Sequence, residues 1–197
     1  MKKISVLILL AFSLQSLAEN YKLDSSHTEV GFSVKHLLIS NVKGRFGKFS
    51  GAFEYDKAAK TLKNLSIEID PSSISTNEKN RDEHLRSPDF FDVKKFKTVT
   101  FTGEKAEFAA DGQSIKVTGK LKIKDKSLPV VLDVKINGEA EVEGVKKVAF
   151  TAATEINRKE WGINWNKDLD KGGLAVSEEV KILVEGEANV VEPKKAK

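Results

Sequence analysis

SIKVTGKLKIKDKSLPVVLDVKIN, Ser114 to Asn137, decides the fold. Ile115, Val117, Leu121 and Ile123 alternate with Lys116, Thr118, Lys120 and Lys122, and Val130, Leu132, Val134 and Ile136 then alternate with Val131, Asp133 and Lys135. A period of two over this length is the mark of half-buried strands, with one face wet and one face packed. KDKSLP, at 124–129, is the turn between them.

The same test, carried outward, finds strands at Thr98 to Phe108 (Val99, Phe101) and Lys147 to Ile156 (Val148, Phe150, Ile156). Towards the N-terminus it finds Glu29 to His36 (Val30, Phe32, Val34, His36), Lys48 to Asp56 (Phe49, Gly51, Phe53, Tyr55) and Leu62 to Asp70 (Leu65, Ile67, Ile69). Val180 to Val190 closes the set (Val180, Ile182, Val184, Val190). The count is eight, separated by turn signals at DGQS (111–114) and NGEAEVEG (137–144). That spacing predicts an all-β barrel or sandwich. The four consecutive strands from Thr98 to Ile156, joined by short turns, favour closure into an antiparallel barrel. Gly51, Gly119 and Gly186 leave gaps on the apolar faces. Such gaps fit an internal cavity, and equally fit bulges and sharp bends where strands coil.

Two stretches interrupt the strands. Ser75 followed by Glu78 reads as a capping box that starts a helix running to Arg86 and stopped by Pro88, placed between the third and fourth predicted strands. Leu85 is its one apolar residue, so it is not a core element. The second stretch, Asn157 to Ala175, is a loop rich in Gly, Asn and Asp that carries Trp161 and Trp165; loops of this length in compact domains are often functional.

At the N-terminus, Lys2 and Lys3 precede an apolar run from Ile4 to Leu14 and small residues at Ser16 and Ala18. This is the pattern of a secretory signal cleaved after Ala18, and the run is shorter than the roughly 20 residues needed to cross a bilayer. Residues 19–191 then form one domain and 192–197 a frayed tail. Without Lys2 and Lys3, 31 basic residues face 29 acidic ones. The lysines alternate with apolar residues instead of forming a stripe, which argues against a nucleic-acid partner. There is no cysteine, so disulfides, thiolate chemistry and lipoprotein attachment are excluded.

Catalytic signals are lacking. His27, His36 and His84 have none of the spacings of a zinc site, so no metal is expected. No nucleophile elbow or phosphate loop is present. Asp82 and His84, two apart on a helix, point to different sides. Phe90, Phe91 and Phe96 directly follow the polar helix; they either close one end of the core or wall an elongated apolar ligand, with Arg81, His84 and Arg86 near its polar head.

Four segments, DSSHTEVGFSVKHLLISNVKGRFGKFSG, STNEKNRDEHLRSPDFF with KTVTFTG, GKLKIKDKSLPVVLDV, and INRKEWGI, together resemble the YceI-like family of periplasmic lipid-binding proteins over nearly the whole chain after the signal. The resemblance implies a lipocalin-like eight-stranded antiparallel barrel, often a homodimer, holding an isoprenoid, quinone tail or other long-chain amphiphile. It implies no catalytic residue and no cofactor other than the bound lipid. Carried over by position, the lipid-tail residues are Phe32, Val34, Phe49, Phe53, Ile67, Phe101 and Val117, with Leu85, Phe90, Phe91 and Trp161 near the barrel end, and the head-group residues are His36, Arg81, His84 and Arg158. In INRKEWGI the family more often has Phe where this chain has Trp161. The resulting expectation is a periplasmic, non-enzymatic lipid carrier with no transmembrane segment once the signal is removed. The alternative is a stress-response protein with a filled barrel that works through a partner surface on the polar helix and the Trp loop.

Overall fold

The computed structural model describes residues 18–167 and 175–191; the expected signal sequence and the 192–197 tail lie outside the described residues. Among these, eleven strands form one antiparallel sheet. They are β1 (Glu19–Leu23), β2 (Glu29–His36), β3 (Ser40–Phe46), β4 (Phe49–Asp56), β5 (Thr61–Ile69) and β6 (Ile74–Ser75), then β7 (Val99–Phe108), β8 (Ser114–Ile123), β9 (Lys126–Val142), β10 (Val145–Asn157) and β11 (Val176–Val190). One α-helix, α1 (Lys79–Arg86), lies between β6 and β7. No helix among the described residues is long and apolar enough to cross a membrane.

Eight of the strands close a ring in the order β1-β4-β5-β7-β8-β9-β10-β11, with β11 pairing back to β1. Closure removes every free edge from the ring. The long β11 makes it possible: its last residues pair with β1 (Tyr21↔Val190) while its first two thirds pair with β2 (Val34↔Val180, Val30↔Val184). From β2 the sheet continues through β3 to the two-residue β6. A flap of β2 and β3 thus extends one wall of the barrel past the closed ring.

The strands expected from alternation are all present, within a few residues at each end. Three others were not legible: β1, β3 and β6. Because they precede the helix, α1 follows the sixth strand rather than the third. The NGEAEVEG stretch is also not a turn as a whole. β9 runs on to Val142, a bulge faces the step from Ala149 to Phe150, and the turn is confined to Glu143 and Gly144, both at positive φ (53° and 78°). Pro129 sits inside β9 opposite Lys120 of β8, whereas β10 pairs with β9 only from Asp133 onward. Proline therefore falls where the other side of the strand has no ladder to break.

The glycine gaps combine close packing with bulges: Gly119 pairs with Gly103, where the β7–β8 register shifts, and Gly51 precedes the shift between Ala52 and Glu54 in the β4–β5 register. A Cβ on Gly119 would stand 2.3 Å from the Thr102 carbonyl oxygen and 2.6 Å from the Phe101 ring. One on Gly186 would stand 2.2 Å from the Thr28 hydroxyl, in the link between β1 and β2 where Thr28 Oγ1 donates to the Glu187 carbonyl (3.1 Å). Neither glycine lines the interior space.

The helix starts differently from the expected capping box. Glu78 is itself the N-cap, its carboxylate accepting from the Asn80 and Arg81 amides (3.0 and 2.6 Å). Ser75 is held in β6 by its pairing with Arg45 of β3, so it cannot reach the helix start. Asp82, buried, accepts from the amide and hydroxyl of Thr76 (2.7 and 2.6 Å) and locks α1 to the residue that follows β6. Arg86 donates to the Ser72 and Ile74 carbonyls (2.8 and 2.6 Å). The polar helix is thus fastened by its charged residues, while Leu85 is its contribution to the apolar cluster.

Candidate ligand cavity

The barrel is not filled by its side chains. A cavity of about 570 Å³ runs from the closed ring into the space under β2, β3 and α1, within the roughly 300–1,000 Å³ typical of small-molecule sites. The opposing wall is built by alternate residues of β9, β10 and β11, among them Leu132, Val134, Phe150 and Ile182. Alternation sends these inward and Lys116, Asp133, Lys181 and Glu155 outward, where they pair in surface salt bridges (Lys116–Asp133 2.7 Å, Lys181–Glu155 4.0 Å).

Most expected tail residues line this space: Phe32, Val34, Phe53, Ile67, Leu85, Phe90, Phe91 and Phe101. Phe49, Val117 and Trp161 do not. Phe49 opens β4 opposite Ile69, outside the lining. Val117 is sealed at 1 % exposure in the packing beside Gly103. Trp161 is 2 % exposed, and its indole N–H donates to the Leu121 carbonyl (3.0 Å), so it wedges a loop against β8. Trp161→Phe should therefore cost about 1–2 kcal/mol in chemical unfolding, mostly for the orphaned carbonyl, while leaving uptake of a lipid probe unchanged.

The four expected head-group residues all touch the cavity and belong to one chain of contacts. His36 ends β2 opposite Val176. The Val176 carbonyl accepts from Arg158 (3.4 Å), and Arg158 also donates to Ser177 (2.9 Å), Ile163 and Trp165 (2.8 Å each), all through backbone carbonyls. The Trp165 ring meets His84 edge-on at 4.9 Å, and His84 belongs to α1 with Arg81. Polar groups are thus gathered at one end and apolar ones fill the rest, which is the layout an amphiphile needs.

The roles within this group differ. Arg158 is buried at 4 % exposure; burial pushes its pKa down, and the nearby Glu178 carboxylate works the other way. With four carbonyls around its guanidinium it ties the loop to β11 rather than offering a free fork to a ligand. Arg81 donates to the Thr76 hydroxyl and carbonyl (2.7 and 2.9 Å). His84 bonds Asp89 through Nε2 (2.9 Å) and stacks edge-on against Phe90 (5.0 Å). Asp82 is turned away into its bond with Thr76, as the spacing on the helix required. Among the described residues no hydroxyl is hydrogen-bonded to His84, whose ring nitrogen Nε2 is taken up by Asp89.

Sequence reasoning missed Trp165, Phe46 and Val42 in the lining. Phe46 and Val42 belong to the unread β3, and Phe46 stacks edge-on with Phe91 (5.7 Å). Trp165 joins Phe90 (5.4 Å) and His84 in an aromatic cluster that only the folded loop assembles.

Outside the cavity, Asp24, His27 and Glu187 bring their ligand atoms within 4.8 Å of one another. Lys147 already stands between the two carboxylates, 3.6 Å from each. Bonds from Ser26 and His27 hold the Asp24 carboxyl well below the usual carboxylate range. A lysine supplies the positive charge there, and the cluster braces the link from β1 to β2.

The family model described as the YceI-like domain matches residues 21–188. A UPF0312 protein of Staphylococcus aureus strain USA300 is 33% identical over 175 residues, covering 88% of this chain and 99% of the relative. Among solved structures, a YCEI protein of Campylobacter jejuni is 35% identical, with TM-score 0.68, covering 86% of this chain and 97% of that one. A domain from Saccharophagus degradans, described as polyisoprenoid binding and implicated in plant cell wall breakdown, has TM-score 0.62 at 13% identity, covering 87% and 98%. That last likeness is one of fold.

Proposed function

The chain belongs to the family of YceI-like domains, and from that membership we propose that it is a non-catalytic binding or carrier protein for a polyisoprenoid, quinone or similar long-chain amphiphile, working in the periplasm. The observation that carries the reading is the cavity itself: apolar along its length, with Arg81, His84, His36 and Asn80 at one end. The polyisoprenoid-binding description of the Saccharophagus domain, which shares the fold, supports the ligand class.

The energetics fit a long tail. Each buried methylene contributes roughly 0.8 kcal/mol, so ten of them supply on the order of 8 kcal/mol, about micromolar affinity before binding costs. Loss of free motion and ordering of the tail remove several kcal/mol of this. Short chains are therefore held weakly and long ones well. At the polar end, donors are more abundant than carboxylates, which suits a head carrying carbonyl or hydroxyl oxygens.

The test is organic extraction and mass spectrometry of protein purified without detergent. A stoichiometric long-chain lipid is the expected result. Its repeated absence, together with no uptake of an added quinone or prenyl alcohol, would sink the reading.

A further inference from the structure

The hairpin joining β2 to β3 turns at Leu37, Leu38 and Ile39, which are 37 %, 66 % and 84 % exposed. Leu37 and Leu38 both hold left-handed backbone (φ 51° and 63°), and the Ile39 amide closes the turn onto the His36 carbonyl (3.1 Å). A tight hairpin with two positive φ angles ordinarily carries Asn-Gly or Asp-Gly, because a Cβ is strained there. Here two leucines take the strain, and an isoleucine follows in open water. Neither the turn nor the barrel core has a use for these side chains.

Their place in the fold supplies one. His36 and Val42, just inside the tip, line the polar end of the cavity, and the Leu37 amide bonds the Ala175 carbonyl (2.9 Å) beside Val176, which lines it too. The aliphatic tip therefore begins where the cavity lining ends. On the hairpin's outer face, between Ser33 and Gly44, stand Lys35 and Lys43 and no carboxylate; both lysines are exposed. Aliphatic residues at a tip with lysines set behind them match an anionic bilayer surface, with hydrocarbon taking the side chains and phosphates meeting the ammonium groups.

We propose that the Leu37–Ile39 tip inserts into the interface of an anionic lipid bilayer and docks the polar end of the cavity against the membrane surface. Use of that contact to pass a lipid between bilayer and barrel rests on the carrier reading above; the contact itself does not, so extraction and docking fail separately.

The experiment is flotation of the chain from Glu19 onward, which contains every strand of the closed barrel, with vesicles of phosphatidylethanolamine and phosphatidylglycerol or of phosphatidylcholine alone. The wild-type chain floats with the anionic vesicles, and added salt weakens this. Leu38→Ser lowers the partition coefficient roughly tenfold and Leu38→Ser with Ile39→Ser roughly a hundredfold, each lost aliphatic contact being worth about one decade. Leu37→Asn with Leu38→Gly installs the residues the turn geometry prefers, so it keeps or raises the thermal midpoint while it too abolishes flotation. Flotation of the serine or Asn-Gly variants equal to wild type overturns the proposal. So does a wild-type chain that ignores anionic vesicles, including the case where it is a solution dimer that Leu38→Ser with Ile39→Ser dissociates, which would assign the tip to a second copy instead.

Discussion

Arg158→Ala should destabilise the protein by about 3–5 kcal/mol, more than any surface substitution. The guanidinium donates to the carbonyls of Ile163, Trp165, Val176 and Ser177, and a buried polar group left without a partner costs roughly 1–3 kcal/mol. Water reaching the more open side relieves some of the four, which is why the expected sum lies well below the maximum. Arg158→Lys should recover only about 1 kcal/mol, because one ammonium cannot span carbonyls that a planar fork reaches on two sides. Urea midpoints with unchanged slopes measure the loss. A midpoint within about 1 kcal/mol of wild type for Arg158→Ala would mean that the loop does not depend on this residue. Trp165 fluorescence should shift at lower urea than global unfolding, since its carbonyl is one of the four and its ring closes the cavity beside His84.

Arg158 also shows where sequence reading reaches its limit. An arginine in a motif of a loop looks the same whether it faces a ligand or holds backbone carbonyls; only the fold brings residues 163, 165, 176 and 177 around it. Seven strands of the ring, all but β1, and β2 beside it were legible because each shows a dry face and a wet face, as β8 does with Ile115, Val117, Leu121 and Ile123 against its lysines. β3 was not, because Asn41, Lys43 and Arg45 alternate with only Val42, Gly44 and Phe46, and the glycine is there to clear the Phe32 ring, 2.3 Å from where its Cβ would be. A strand that gives up an apolar residue to make room for a neighbour's ring loses its own signature. Likewise Val117 and Trp161 are apolar and buried, and nothing in a sequence distinguishes packing between walls from facing a void.

A bulky residue in the void should separate binding from folding. Val134 lines the cavity from β9, flanked by Ile115 of β8 and Ala152 of β10, and Val134→Trp places an indole where the lipid tail is proposed to lie. Excluding three or four methylenes at roughly 0.8 kcal/mol each removes about 3 kcal/mol, or on the order of a hundredfold in affinity. Overpacking a dense core costs typically 1–3 kcal/mol, but here the new atoms enter open space, so stability of the lipid-free protein should stay within about 1 kcal/mol of wild type. Leu183→Trp is the matched control: Leu183 is on β11 and is 52 % exposed on the outside of the barrel, so the same indole there should leave lipid content intact. Titration with a fluorescent prenyl probe, beside urea unfolding of the delipidated proteins, reads both quantities. Equal affinity in Val134→Trp and Leu183→Trp would place the ligand outside the barrel and return the molecule to a role played on its surface. A large loss confined to Val134→Trp, at unchanged stability, would leave the interior as the place where this family member does its work.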